Sequence, residues 1–133
     1  MNYLLDTNIC IYIMNNHPLE VIDRFKKMNL GQIGVSSITV SELQYGVSKS
    51  WRKKENQQRL NEFLVPFEIL PYDLTATGSY GEICAELERQ GLVIGPLDLL
   101  IAAQAISENL VLVTNNEREF RRIQSLKVEN WIP

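Results

Sequence analysis

Four acids stand at places from which a folded chain can aim them at one point. Asp6 follows directly on the apolar run Tyr3-Leu4-Leu5. Glu42 lies in Ser36-Ser37-Ile38-Thr39-Val40-Ser41-Glu42-Leu43, just after a second apolar run, Ile33-Gly34-Val35. Asp98 lies in Gly95-Pro96-Leu97-Asp98, and Glu119 in Thr114-Asn115-Asn116-Glu117-Arg118-Glu119-Phe120. Taken singly, each reads as a helix start. Thr39-x-x-Glu42 has the form of a capping box and Asn116-x-x-Glu119 its asparagine version. Pro96 suits a first helical position, with Asp98 favoured by the helix dipole. Asp6-Thr7 suits the cap of a helix beginning near Asn8.

Taken together, these starts have a consequence. If the helices all begin at one edge of a parallel sheet, four negative charges crowd there, at a cost of several kcal/mol in a partly dry crevice. The single histidine, His17, precedes Pro18 in a loop-like stretch, and no Lys or Arg lies within three residues of Asp6, Glu42 or Asp98. The remaining neutralising agent is a bound cation. Carboxylate oxygens without histidine or thiolate suit Mg²⁺, with Mn²⁺ as a substitute. A carboxylate nest around such ions is apparatus for phosphodiester hydrolysis, in which activated water attacks and the leaving oxygen is steadied. Thr114, Asn116 and Asn8 would add neutral oxygens. Ser36, Ser37 and Ser41 have no histidine to activate them, and neither G-x-S-x-G nor a phosphate-binding G-x-x-x-x-G-K occurs. A haloacid-dehalogenase-like phosphatase also opens with an aspartate after its first strand, but needs a second acid where this chain has Asn8.

The elements that must position these residues are legible as period and punctuation. Tyr3–Leu5, Ile33–Val35, Phe67–Leu70, Leu110–Val113 and a weaker segment at Lys127–Glu129 read as strands. Between them, Val21, Ile22, Phe25 and Met28 fall at helical spacing, as do Leu60, Phe63 and Leu64, and Tyr80, Ile83, Cys84 and Leu87. Gly91 stands where a left-handed helix cap is expected. Leu99 through Ile106 is apolar nearly all round, the mark of a buried helix. Strands alternating with helices predict an α/β fold with a mainly parallel central sheet flanked by helices, whose strand C-termini deliver polar residues to a common crevice. The length of 133 residues suits one domain over 1–133. No apolar run reaches a membrane span and no charged-then-apolar leader precedes the first strand, so no membrane association and a cytoplasmic location are expected. Cys10 and Cys84 fit no metal spacing and read as reduced core thiols. A net charge of −3 does not announce a nucleic-acid binder. Yet Lys49, Arg52, Lys53 and Lys54 form one basic group, and Arg118, Arg121, Arg122 and Lys127 another. Each is either a solvated helix face or part of a backbone-tracking surface, and Trp51 between them either packs or stacks on a base.

The run Leu4-Leu5-Asp6-Thr7-Asn8, then Ser37-Ile38-Thr39 leading to Glu42-Leu43 and Tyr45-Gly46, then Gly95-Pro96-x-Asp98-x-x-Ile101-Ala102, then Val113-Thr114-Asn115-Asn116 with Glu119-Phe120, ending at Trp131, resembles the PIN-domain ribonucleases, and more closely the VapC toxins of bacterial VapBC toxin–antitoxin pairs. The resemblance covers essentially the whole chain. It implies a single PIN domain and a toxic, Mg²⁺-dependent endoribonuclease that halts translation by cutting structured RNA, often tRNA. It further implies a homodimer and a cognate VapB-like antitoxin covering the active site. By position it implies Asp6 and Asp98 as the principal metal ligands, with Glu42 as a ligand through water or a proton acceptor. Relatives differ at the fourth acid, some carrying an aspartate where this chain has Asn116 and others an acid at Glu119, so Glu119 is expected to supply the fourth charge here. A PIN fold kept as a non-catalytic RNA- or protein-binding module is the alternative.

Overall fold

The computed structural model describes residues 1–132. Strand β1 (Tyr3–Leu5) leads into α1 (Thr7–Met14) and α2 (Leu19–Lys26). Strand β2 (Ile33–Ser36) leads into α3 (Ser37–Ser48) and α4 (Lys53–Leu64). Strand β3 (Glu68–Leu70) is followed by α5 (Leu74–Gln90) and α6 (Pro96–Ser107), then β4 (Val111–Val113), the short α7 (Glu117–Phe120) and β5 (Val128–Glu129). The strands form one five-stranded sheet in the order β3-β2-β1-β4-β5, every pairing parallel. The expected fold class is therefore the observed one, with strand limits within two residues of those read from the sequence.

The first strand owes its central place to its composition. Leu4 and Leu5 are both fully buried and point to opposite faces, as alternate strand residues must. Leu4 joins a core layer with Ile83, Leu87, Ile101, Ala102, Leu112 and Phe120, beneath α5 and α6. Leu5 joins a second layer with Ile9, Cys10, Val35, Leu60, Val113 and Trp131, beneath α1 to α4. A sheet covered on both faces needs strands apolar on both sides, and β1, β2 and β4 have that character. Cys10 is buried as expected, whereas Cys84 is only half-buried; both are free thiols.

Register fixes what the strand ends present. Leu5 lies level with Val35 on one side and Val113 on the other, so the chain leaves all three strands at one height. The backbone continues this order, with Asp6 N–H donating to Val113 O at 2.9 Å and Thr114 N–H to Glu129 O at 3.0 Å. The path winds outward from β1 through β2 to β3, then crosses to β4 on the other side. The reversal between β1 and β4 is the position at which open α/β sheets leave a crevice.

Helix α6 crosses the core with Ala102, Ala103 and Ala105 buried, small residues that let it lie close to α5. Pro96 occupies its first turn, as the sequence predicts, and Gly91 ends α5 at φ 69°. Gln104 is the polar exception within α6. Its Oε1 accepts from Ser36 Oγ at 2.5 Å, and its Nε2 donates to Leu70 O at 2.8 Å and Pro71 O at 3.1 Å. The same Ser36 Oγ accepts from Ile38 N–H at 3.0 Å and caps α3. Gln104 thus ties the start of α3 to the end of β3. Among the described residues no helix is long and apolar enough to cross a membrane. Replacing Gln104 by Leu keeps the volume but strands the Leu70 carbonyl and the Ser36 hydroxyl. Gln104→Leu is therefore expected to lower unfolding stability by roughly 1–3 kcal/mol, read as a lower urea midpoint at unchanged slope.

Candidate active site

The strand-end crevice is organised around Asp6. Its backbone is extended (φ −68°, ψ 158°) and it caps α1, with Oδ1 accepting from Thr7 N–H at 2.7 Å. Its other oxygen, Oδ2, accepts from Thr114 Oγ at 2.7 Å, across the β1–β4 reversal. Thr114 is itself held, because its Oγ accepts from Asn116 N–H at 2.9 Å. A nearly inaccessible carboxylate is tolerable here because both oxygens have donors.

Glu42 arrives from α3. Thr7 Oγ donates to Glu42 Oε1 at 2.8 Å, and Thr39 Oγ lies 3.2 Å from the same hydroxyl. Thr7 therefore bridges two of the acids, with its amide on Asp6 and its hydroxyl on Glu42. The capping-box reading of Thr39 and Glu42 is overturned. The cap is Ser36, and both residues lie inside α3, because the helix starts directly from β2 without an intervening loop. Asp98 sits half-buried in the first turn of α6. Asn116 precedes α7 but makes no side-chain cap; its Nδ2 donates instead to Glu119 Oε2 at 2.8 Å.

The crowding is felt at Asp98 and Asp6. Burial, then the charges of Asp6, Glu42 and Glu119, push the Asp98 carboxyl up to about 6. Asp6 is also raised, first by burial, then opposed by the Thr114 and Thr7 hydrogen bonds and reinforced by Glu42. No Lys or Arg among the described residues forms an ion pair with any of the four. Cys10, one turn after Asp6, is no competing ligand, since burial and the Asp6 charge hold its thiol protonated.

The donor set fits a hard divalent cation: carboxylate oxygens backed by threonine hydroxyls, with uncompensated negative charge converging at one edge. Among the described residues, no three acid, histidine or cysteine groups stand close enough as they are to hold an ion together. Gripping one therefore requires side-chain rotation, above all of Asp98 and Glu42, which are only partly buried. Thr7 and Thr39 were not identified from the sequence; Thr7 stood next to Asp6, but its reach to Glu42 depends on α3 folding alongside. A larger groove of about 510 Å³, between α5 and residues 122–125, contains none of these residues.

The pH consequence has a definite sign. Between the ordinary carboxylate value of 3.8 and about 6, folded Asp98 keeps a proton that the unfolded chain has released, so stability falls as pH rises through that window. Asp98→Asn is expected to stabilise the metal-free protein at pH 7.5, on the order of 1 kcal/mol after solvent screening, and to leave stability at pH 4 nearly unchanged. Thermal unfolding of both proteins at the two pH values in EDTA checks this.

Known proteins resemble this chain over nearly its whole length. The PIN domain family matches residues 3–126. Ribonuclease VapC2 from Rickettsia felis is 50% identical over 132 residues, covering 98% of each chain. The tRNA(fMet)-specific endonuclease VapC from Shigella flexneri is 43% identical over 131 residues, again 98% of each. The crystal structure of VapBC2 from Rickettsia felis bound to a DNA fragment from their promoter superposes with a TM-score of 0.90 at 50% identity, covering 98% of this chain and 99% of that one. The chain thus belongs to the PIN domain family and, within it, groups with the VapC proteins.

Proposed function

We propose that this chain is a single PIN domain over residues 1–133 that acts as a toxic, metal-dependent endoribonuclease. In this reading it hydrolyses phosphodiester bonds in RNA, with tRNA as the substrate class, and so inhibits translation in the cytoplasm. It works as a homodimer and is neutralised by a cognate VapB-like antitoxin. The observation that carries the reading is the convergence of Asp6, Glu42, Asp98 and Glu119 at the β1–β4 reversal, where burial and the neighbouring carboxylates raise the proton affinity of Asp98 and Asp6 and no cationic side chain among the described residues pairs with any of the four.

Asp6 and Asp98 would hold Mg²⁺ or Mn²⁺, with Glu42 joining directly or through water. When bound, the ion supplies an activated water nucleophile and charge compensation for the leaving oxygen. The chain's own residues prepare that event. Thr7 and Thr114 fix both oxygens of Asp6, so its orientation does not have to be found anew for each substrate. Thr7 holds Glu42 by one oxygen, leaving Oε2 to accept a proton or align water. Asn116 turns Glu119, which supplies the fourth charge, and Thr114 and Asn116 add neutral oxygens at the crevice wall. No covalent intermediate is required.

The similarity to the tRNA(fMet)-specific endonuclease VapC of Shigella flexneri supports tRNA, and the VapBC complexes support an antitoxin partner. A groove of about 280 Å³, lined by Ile11, Met14, Leu43, Val47 and Leu60 and bordered by Glu42, is a suitable seat for a partner segment beside the acids. The purified protein is expected to cleave bulk tRNA in Mg²⁺ or Mn²⁺ and to be silent in EDTA. Asp6→Ala and Asp98→Ala should each lower the rate by about 10³-fold, equivalent to several kcal/mol of lost transition-state stabilisation, while circular dichroism shows retained folding. Full activity in either variant, or in EDTA, would remove the assignment.

A further inference from the structure

The basic turn between α3 and α4 is the part of the surface that the acid nest does not explain. Trp51 sits there fully exposed. The sequence left open whether this ring packs or stacks on a base; in the fold it packs on nothing. The turn that carries it is nevertheless well braced. Ser50 Oγ donates to Val47 O at 2.7 Å and accepts from Asn56 Nδ2 at 3.0 Å, and Asn56 N–H donates to Arg52 O at 2.9 Å. Flanking the ring are Lys49, Arg52, Lys53 and Lys54, all exposed. Among the described residues, only Arg52 of these four has an acidic partner, Glu55 at 3.6 Å, and that pair is itself exposed.

A stripe connects this turn to the site. Glu42, Tyr45 and Lys49 follow at helical spacings of three and four, so they share one face of α3. Tyr45 is 67% exposed, and the Lys49 ammonium lies 4.9 Å from its ring centre. From Glu42 to Lys49 the helix rises roughly 10 Å, about three base steps of a stacked strand. Acid, aromatic, cation and aromatic therefore run in order outward from the crevice. An exposed aromatic ring amid unpaired cations matches single-stranded nucleic acid, whose bases stack and whose backbone is anionic.

Resting on the nuclease reading above, we propose that this stripe is the substrate track, with Trp51 stacking on an unpaired base of the RNA while Lys49, Arg52, Lys53 and Lys54 hold the flanking phosphates. Trp51 is then a specificity-determining contact for single-stranded over paired segments, distant from the bond that breaks.

The test uses the full chain in two formats. In Mg²⁺, Trp51→Ala should raise KM for bulk tRNA about tenfold with little change in kcat, and Trp51→Phe should recover most of the loss. Binding is read separately with Asp98→Asn protein and hexauridylate, following intrinsic fluorescence. The Trp51 emission should be quenched on binding, and Asp98→Asn/Trp51→Ala, followed by the anisotropy of fluorescein-labelled hexauridylate, should bind about tenfold more weakly than Asp98→Asn in the same format. Lys53→Ala should flatten the salt dependence of binding by a slope of about 0.7. Unchanged KM and unchanged hexauridylate affinity on removing Trp51 overturn the track, and so does a Trp51→Ala defect confined to a protein partner. If the wild-type protein cuts no RNA but Trp51 is quenched and required for binding, the nuclease reading falls and the track stands.

Discussion

The structure is governed by a conflict between burial and charge at the ends of β1, β2 and β4. Level register delivers the chain out of these strands at one height, and the apolar layers on both faces leave the crevice partly dry. There burial and neighbouring carboxylates raise the proton affinity of Asp6 and Asp98, which on an open surface would be innocuous. Hydrogen bonds from Thr7 and Thr114 hold Asp6 in place but remove none of the excess charge. The fold carries an unfavourable electrostatic feature at this edge, which under the proposed function a divalent ion would offset, so that local stability is given up for function.

That arrangement also separates duties among similar side chains. Asp6 is immobilised by two donors and lies almost wholly inside. Asp98, in the first turn of α6, has the helix dipole behind it, and burial followed by the charges of the other three acids raises its proton affinity. Glu42 is tethered through one oxygen. A rigid acid, a responsive acid and a half-tethered acid thus stand at one sheet edge, and the difference arises from neighbours rather than residue type.

Much of this was legible in the linear chain. The strands announced themselves as short apolar runs, α6 as a continuous apolar helix opened by Pro96, and the acids by standing past strand ends or, for Asp98, in the first turn of a helix. Two things were not. Ser36 is both the last residue of β2 and the cap of α3, so no loop residues mark the change, and the pattern Thr39-x-x-Glu42 imitated a helix start one turn too late. The Thr7–Glu42 bond joins positions 35 apart, and nothing local encodes it. Trp51 was ambiguous for a different reason: an aromatic residue in a basic turn reads the same whether it closes onto a core or faces water, and only the surrounding packing decides.

The sheet's margins have their own logic. On one side it ends in β5, of two residues, with Glu129 there engaged by Trp131 Nε1 and paired with Arg24, whose guanidinium lies 5.7 Å from the Trp131 ring centre. On the other it ends in β3, of three residues, beginning with an exposed glutamate. Neither rim offers a long, flat row of unpaired amides. Short margins around such uniformly greasy middle strands leave little template on which a neighbouring molecule could add a further strand.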